Sequence, residues 1–313
     1  MLRYPLAALA AALMPVTAFA QEAGKSIDES INETVGALTG PFVSFIFAPI
    51  PGTSFPWIVM WLVIAATVFT FYFSFVQFRF FKHSIELVKG DYADPNDAGE
   101  VSHFQALATA LSGTVGLGNI AGVAVAVGIG GPGATFWMIL AGLLGMASKF
   151  TECVLGVRYR NEYPDGTVSG GPMYYLSKGL SEDGKAALGK FLAIFFSICC
   201  IGGALGGGNM FQANQSFAQI SSIIPFFEGK GWLFGLIMAA VVGIVIIGGI
   251  KSIARVTEKV VPAMAIIYVG AALIIILMNI TAVPAAVSAI ITGAFAPTAV
   301  AGGASGALIQ GFK

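Results

Sequence analysis

Residues 109–133 read TALSGTVGLGNIAGVAVAVGIGGPG and hold the chain's most informative polar groups. Ser112, Gly113, Thr114, Gly116, Gly118 and Asn119 interrupt an otherwise apolar stretch. None of these side chains titrates, so the run offers neither acid–base nor nucleophilic chemistry. What it offers is backbone. Each glycine weakens a helix by about 1 kcal/mol relative to alanine. In hydrocarbon, non-helical backbone is tolerated only where it lines a cavity or is buried in protein. The spacing therefore predicts a helix broken near the bilayer midplane. Carbonyls freed at the break can coordinate a cation. Amides freed at the start of the second half-helix, its positive dipole end, can hold a carboxylate. An amino-acid zwitterion accompanied by Na⁺ needs those two groups side by side. The competing reading is a helix-packing face, because Gly118 and Gly122 have small-xxx-small spacing; residue types alone leave both open. The G-x-G-N run is not a dinucleotide fingerprint, since no strand precedes it.

A second constellation follows downstream. Gly202, Gly203, Gly206, Gly207 and Gly208 precede Asn209, Gln212, Asn214, Gln215 and Ser216. Asn209, Gln212 and Ser216 are spaced i, i+3 and i+7, so they are expected on one helix face. Neutral amides at membrane depth point into the bundle or a wet cavity. Gln212 is expected at a substrate site, with ligand-free interhelical hydrogen bonding as the alternative. Lys149 and Glu152, at i and i+3, are expected to form an interfacial ion pair. Cys153, Cys199 and Cys200 are expected to be small apolar packing residues rather than a disulfide framework. His83 and His103 lack metal-ligand spacing, although His103 stands near the start of the broken helix, where it could bear on gating. Neither a catalytic triad nor a P-loop is readable, so an enzyme and ATP-driven transport are both unsupported.

These residues need a membrane scaffold. Hydrophobic residues make up 57% of the 313 and charged residues 10%, against about 25% charged in soluble domains. The formal net charge is zero, which gives no sign of a nucleic-acid partner. Residues 1–20 carry Arg3, a short apolar core and Ala18-Phe19-Ala20, which read as a signal peptide with the mature chain starting at Gln21. Residues 21–55 read as an extracytoplasmic segment on the membrane surface. Six spans follow in residues 56–280, at roughly 57–76, 104–127, 134–155, 191–220, 232–250 and 260–280. The fourth, about 45 Å long as a straight helix, should be tilted or project beyond the bilayer core. Residues 281–313 read as a re-entrant or loop segment. Eleven basic residues, among them Arg79, Lys82, Lys89, Arg158, Arg160, Lys251, Arg255 and Lys259, fall in loops on one side of this arrangement. Lys25 and Lys230 fall on the other. The positive-inside rule makes the first side cytoplasmic and the N-terminus periplasmic.

The run GTVGLGNIAGVAVAVGIGGPGATFWM, residues 113–138, resembles the signature of the alanine/glycine:cation symporter family. MASKFTECVLGVRYR, SGGPMYYL and GNMFQANQ continue the resemblance, which covers residues 57–313. It implies an all-α membrane protein with the five-plus-five inverted-repeat fold of the amino acid–polyamine–cation and neurotransmitter symporters. One extra N-terminal span precedes the first repeat, and only that first half is present, the second half of the polypeptide being missing. It further implies sodium-coupled symport of alanine or glycine across a bacterial inner membrane, with Na⁺ as coupling ion and no other cofactor. A local likeness to sodium-coupled neurotransmitter symporters implies roles. The Thr114 carbonyl and Asn119 side chain would face one Na⁺. The Ser112 and Val115 carbonyls would face a second cation position. The Gly116 amide would meet the substrate carboxylate, and Thr114, Gly118 and Gln212 would join it around the substrate. A non-transporting membrane scaffold or assembly subunit, whose glycines only pack helices, is the alternative from another class.

Overall fold

The computed structural model describes residues 27–52, 56–94 and 98–296. The expected signal peptide and the start at Gln21 lie outside the described residues, as do residues 297–313. The chain divides into two compact units, residues 1–60 and 61–313.

In the first unit, α1 (Ile27–Ile46) is a 20-residue helix that runs through Pro41. The segment read as proline-punctuated surface chain is thus largely helical. Beyond α1 the chain doubles back. Pro49 and Pro56 form an antiparallel bridge, and the Trp57 indole N–H donates to the Phe45 carbonyl at 2.8 Å. The two rings lie 5.7 Å apart.

All six apolar stretches expected to cross the membrane are helical. The first, α2 (Trp57–Tyr72), has 16 residues, about 24 Å at 1.5 Å per residue. It stops because Ser74 and Phe75 adopt left-handed backbone, with φ of 51° and 57°. Non-glycine residues pay for that geometry. Here Ser74 N–H bonds the Phe71 carbonyl at 3.0 Å and Phe75 N–H the Thr70 carbonyl at 2.8 Å, which satisfies carbonyls at the helix end. Two short helices follow, α3 (Val76–Arg79) and α4 (Phe81–Lys89). Gly90, at φ 90°, closes α4 with the left-handed cap that glycine takes without a Cβ clash.

The second stretch is a bent pair, α5 (His103–Thr114) and α6 (Leu117–Gly130), with 41° between them. The third is α7 (Ala134–Arg158). Fully buried Thr70 on α2 is held against it: the hydroxyl bonds Ala66 carbonyl at 2.8 Å and approaches Leu144 carbonyl at 3.4 Å. Phe73 and Phe150 meet edge-to-face at 5.4 Å.

Between the third and fourth stretches lie a small hairpin, β1 (Asn161–Glu162) with β2 (Val168–Ser169), and α8 (Pro172–Glu182). The fourth stretch is one continuous helix over Ala186–Ile223. It contains α9 (Ala186–Gly203), a π-helical segment Ala204–Met210, and α10 (Phe211–Ile223). Its 38 residues amount to about 57 Å, longer than expected. α8 and α9 pack closely at Gly189, where a Cβ would stand 2.6 Å from the Leu176 carbonyl.

α11 (Gly231–Ile246) and α12 (Gly249–Met278) complete the six. Here one boundary is corrected. Lys251, Arg255 and Lys259, read as a loop, lie in the first turns of α12. No helix-breaking residue separates them, and their i, i+4, i+8 spacing keeps three charges on one face of a single helix. The segment after residue 280, read as re-entrant or loop, is helical in part. A short 3₁₀ turn leads into α13 (Val283–Gly293), with Pro284 in its first turn. α13 ends on α7: the Trp137 indole N–H donates to the Ala294 carbonyl, and Gly133 and Gly293 bring their backbones together.

Among the described residues three helices, α7, the α9–α10 helix and α12, are long and apolar enough to cross a membrane, and the bent pair makes four. Large apolar side chains stand exposed along them, such as Ile198, Ile266 and Leu277. Such surfaces suit lipid or further apolar helices, not water.

Candidate functional site

The break between α5 and α6 carries the site. α5 starts on a reciprocal cap: Ser102 Oγ accepts the Gln105 N–H, and Gln105 Oε1 accepts the Ser102 N–H. The helix runs to Thr114. Val115 (φ −93°, ψ 94°) and Gly116 (φ −134°, ψ −156°) are then extended, and helix resumes at Leu117. Any residue can adopt the Gly116 torsions, and a Cβ there would make ordinary contact with Gln212; only a larger side chain would collide. A Cβ on Gly116 would lie 3.6 Å from Gln212 Nε2 and 3.8 Å from its Oε1.

The interruption frees backbone groups on both sides. Among the described residues, no backbone N–H reaches the carbonyls of Ser112, Gly113, Thr114 or Val115 across the break. The Leu117 and Gly118 N–H groups, the first of α6, likewise have no backbone partner. Four acceptors and two donors thus stand within a few residues of one another. Ser112, Thr114 and Asn119 are exposed in this apolar segment, while Val115 and Gly116 are half-buried. Exposed backbone polar groups are not viable against lipid tails.

Two expected contacts are arranged differently from the sequence reading. The Gly116 N–H donates to Asn119 Oδ1 at 3.2 Å, and the Asn119 N–H bonds the Gly116 carbonyl at 3.1 Å. Asn119 therefore pins the start of α6, and the open amides are those of Leu117 and Gly118. Asn119 Oδ1 retains a second lone pair. The hydroxyls of Ser112 and Thr114 turn back onto their own helix, to the carbonyls of Thr109 (2.7 Å) and Ala110 (2.8 Å). Only their carbonyls face outward from the break.

Gln212 is the one residue of the second constellation that reaches the first. It sits in α10, directly after the π-helical segment built from the glycines at 206–208. π-Helical turns admit extra residues into a helix and recur at functional sites. Among the described residues the Gln212 amide makes no hydrogen bond, while its carbonyl accepts Ser216 Oγ at 2.8 Å. Asn214 and Gln215 bond each other at 3.3 Å instead. Asn209 lies in the π segment and, like Asn214 and Ser216, is exposed.

Sequence reasoning missed the seam that holds α5. Gln105 Nε2 donates to Glu258 Oε2 at 2.8 Å, and Thr109 and Thr257 hydroxyls meet at 3.1 Å. Both pairs join the pre-break half to α12. Glu258 and Thr257 stood in what was read as a loop, so their acid and hydroxyl raised no signal. The Lys149–Glu152 pair forms at 3.0 Å, as expected. The cysteines do not pack inside: Cys153, Cys199 and Cys200 are all exposed. His83 meets Tyr92 edge-to-face and stands 3.7 Å from Glu86, and His103 Nδ1 lies 3.0 Å from the Leu87 carbonyl. No group of three or more metal-binding side chains occurs among the described residues.

Two loop-side groups have displaced titration. Burial pushes the Tyr175 phenol above its ordinary value, and the nearby Glu152 carboxylate adds to the effect. The Thr167 hydroxyl and N–H, which donate to Asp165, hold that carboxyl below its ordinary value.

Comparison with known proteins places the chain in a family of transporters. Residues 42–313 match the sodium:alanine symporter family. The sodium/alanine symporter AgcS of Methanococcus maripaludis is 40% identical over 240 residues, covering 77% of this chain and 52% of that protein. An uncharacterized transporter of Haemophilus influenzae is 42% identical over 236 residues, covering 75% and 49%. The probable sodium/glutamine symporter GlnT of Bacillus subtilis is 36% identical over 246 residues, covering 78% and 49%. The chain spans about half the length of the curated relatives it matches.

Proposed function

Because the chain belongs to the sodium:alanine symporter family, we propose that it forms the first half of a sodium-coupled symporter for a small neutral amino acid, alanine or glycine. The family is one of membrane transporters, not enzymes. In this reading the chain supplies an extra N-terminal span and the first of two inverted repeats, in a bacterial inner membrane with its N-terminus periplasmic.

The observation that carries the proposal is the α5–α6 break. It sets the open carbonyls of Ser112, Thr114 and Val115 beside the open amides of Leu117 and Gly118. Na⁺ is a hard cation and takes oxygen ligands, as Ca²⁺ and Mg²⁺ do. The Thr114 carbonyl and the remaining Asn119 Oδ1 lone pair would serve one Na⁺, and the Ser112 and Val115 carbonyls a second cation position. A substrate carboxylate would lie at the start of α6, on the Leu117 and Gly118 amides, with Gly116 contributing if Asn119 gives up its N–H. The negative carboxylate and the cation would then lower each other's cost of entering the membrane interior. That mutual stabilisation is the coupling: neither binds well without the other. Access would alternate by moving the first repeat's half-helices against the second repeat.

Gln212 is the candidate for selectivity, because its side-chain amide stands against Gly116 at the break, 3.6 Å from where a Cβ would lie. Relatives bear names with alanine and with glutamine, so this residue is the place to test selectivity. Uptake of labelled alanine, glycine and glutamine by the full-length protein in vesicles, with Na⁺ replaced by choline, tests the reading. Sodium-dependent alanine or glycine uptake is expected. Sodium-independent uptake, or none with any of the three, would refute it.

A further inference from the structure

The short helices after α2 carry a face that takes no part in the site at the α5–α6 break. The i→i−4 ladder passes through Phe80, whose N–H bonds Val76 carbonyl at 3.0 Å and whose carbonyl accepts Ser84 N–H at 2.8 Å. α3 and α4 therefore keep one helical register. Phe78, Phe81, Lys82, Ile85 and Lys89 fall at i, i+3, i+4, i+7 and i+11 and form a single stripe. The stripe is open: Phe78 is 62% exposed, Phe81 66% and Ile85 42%, and the Lys82 side chain is 92% exposed. Lys82 reaches Glu86 only at 3.9 Å. Glu86 is turned off the stripe toward His83 and the Tyr92 hydroxyl, at 3.7 and 3.4 Å. The stripe is thus apolar and net positive, with the Glu86 carboxylate at its flank shared between Lys82, His83 and Tyr92. Arg79, stacked over Phe80 at 5.8 Å, adds a third cation beside it.

The stretch from Val76 to Lys89 amounts to about 21 Å, still too short to cross the bilayer. The left-handed Ser74–Phe75 pair ends the preceding span immediately before this helix. An apolar and basic helix of this kind suits the membrane interface, where rings and aliphatic groups enter the acyl boundary and lysines reach up to phosphate. We propose that the Phe78–Lys89 face is a docking surface for anionic phospholipid, with Lys82 and Lys89 pairing lipid phosphates and Phe78, Phe81 and Ile85 seated among the upper acyl carbons. Charge complementarity selects this occupant over a neutral lipid or a protein: Arg79, Lys82 and Lys89 outnumber the Glu86 carboxylate that pairs with Lys82. The inference does not depend on which solute is transported.

The test places an environment-sensitive fluorophore at Ile85→Cys in full-length protein lacking Cys153, Cys199 and Cys200. Vesicles are of phosphatidylcholine alone or of equal parts phosphatidylcholine and phosphatidylglycerol. Expected are blue-shifted emission, quenching by brominated acyl chains, and phosphatidylglycerol co-purifying with the protein. Lys82→Gln with Lys89→Gln should weaken phosphatidylglycerol retention about thirty-fold, two charges at about 1 kcal/mol each, with the fold and Ile85 quenching retained. Quenching unaffected by phosphatidylglycerol and by the double variant would overturn phosphate pairing. Emission that brominated lipid leaves untouched would mean that protein or water covers the face, and would overturn the proposal entirely.

Discussion

Replacing Asn119 by alanine tests the break most directly, because this side chain caps α6 in the structure and would ligate Na⁺ under the proposed function. Its Oδ1 accepts the Gly116 N–H at 3.2 Å, pinning the start of α6. The same atom has a lone pair left for a cation. Losing one N–H···O bond at an exposed position costs about 1 kcal/mol, a melting shift of about 2–4 °C for a domain of this size. Losing an oxygen ligand to Na⁺ should cost more, because carbonyls alone would complete the shell. A loss of about 1.4 kcal/mol raises the half-saturating Na⁺ about tenfold. Asn119→Asp separates the two duties: it keeps an acceptor for Gly116 and adds negative charge to the cation ligand. The assay is alanine uptake against Na⁺ concentration in reconstituted full-length protein, with thermal unfolding measured in parallel. Alanine at 119 should lower the melting point slightly and move the Na⁺ curve far to the right; aspartate should hold stability and keep Na⁺ dependence. If Asn119→Ala loses stability yet transports on an unaltered Na⁺ curve, the residue is only a helix cap and the cation assignment is wrong.

Gly116→Ala should fold normally, since its Cβ would meet Gln212 at an ordinary 3.6 Å, yet lose alanine affinity by at least tenfold in a binding titration. Gly116→Leu should abolish binding, and adding Gln212→Ala should recover stability but not transport. Gly189→Ala, which would put a Cβ 2.6 Å from the Leu176 carbonyl, should destabilise by about 1–3 kcal/mol, read as lower thermal stability with unaltered substrate affinity in surviving protein. Tyr175 should ionise above the usual phenol value of about 10, its alkaline absorbance change vanishing in Tyr175→Phe. With its folded value raised, its contribution is fully present below about pH 10 and is lost as pH rises through the folded value.

The sequence by itself determined the membrane class, the six helical stretches and the position of the break. Each follows from local chemistry: long apolar runs have no other stable state in lipid, and closely spaced glycines weaken a helix wherever it sits. The Lys149–Glu152 pair was legible for the same reason, because i and i+3 are neighbours on any helix. Only the tertiary structure decided which groups the break leaves open. Asn119 folds back on the Gly116 amide, and that choice rests on two side-chain and backbone torsions that no spacing rule encodes. Gln212 meets Gly116 across 96 residues of chain, and a π-helical stretch sets the register that aims it there. The Glu258 and Thr257 seam was invisible because its residues read as a polar loop until α12 was seen to begin at Gly249. Lys251, Arg255 and Lys259 had suggested water, whereas helical spacing gathers them on one face and leaves Thr257 and Glu258 free to face α5. Hydropathy reports average surroundings along the chain. Partners distant in sequence are chosen by packing, and packing exists only once the helices are assembled.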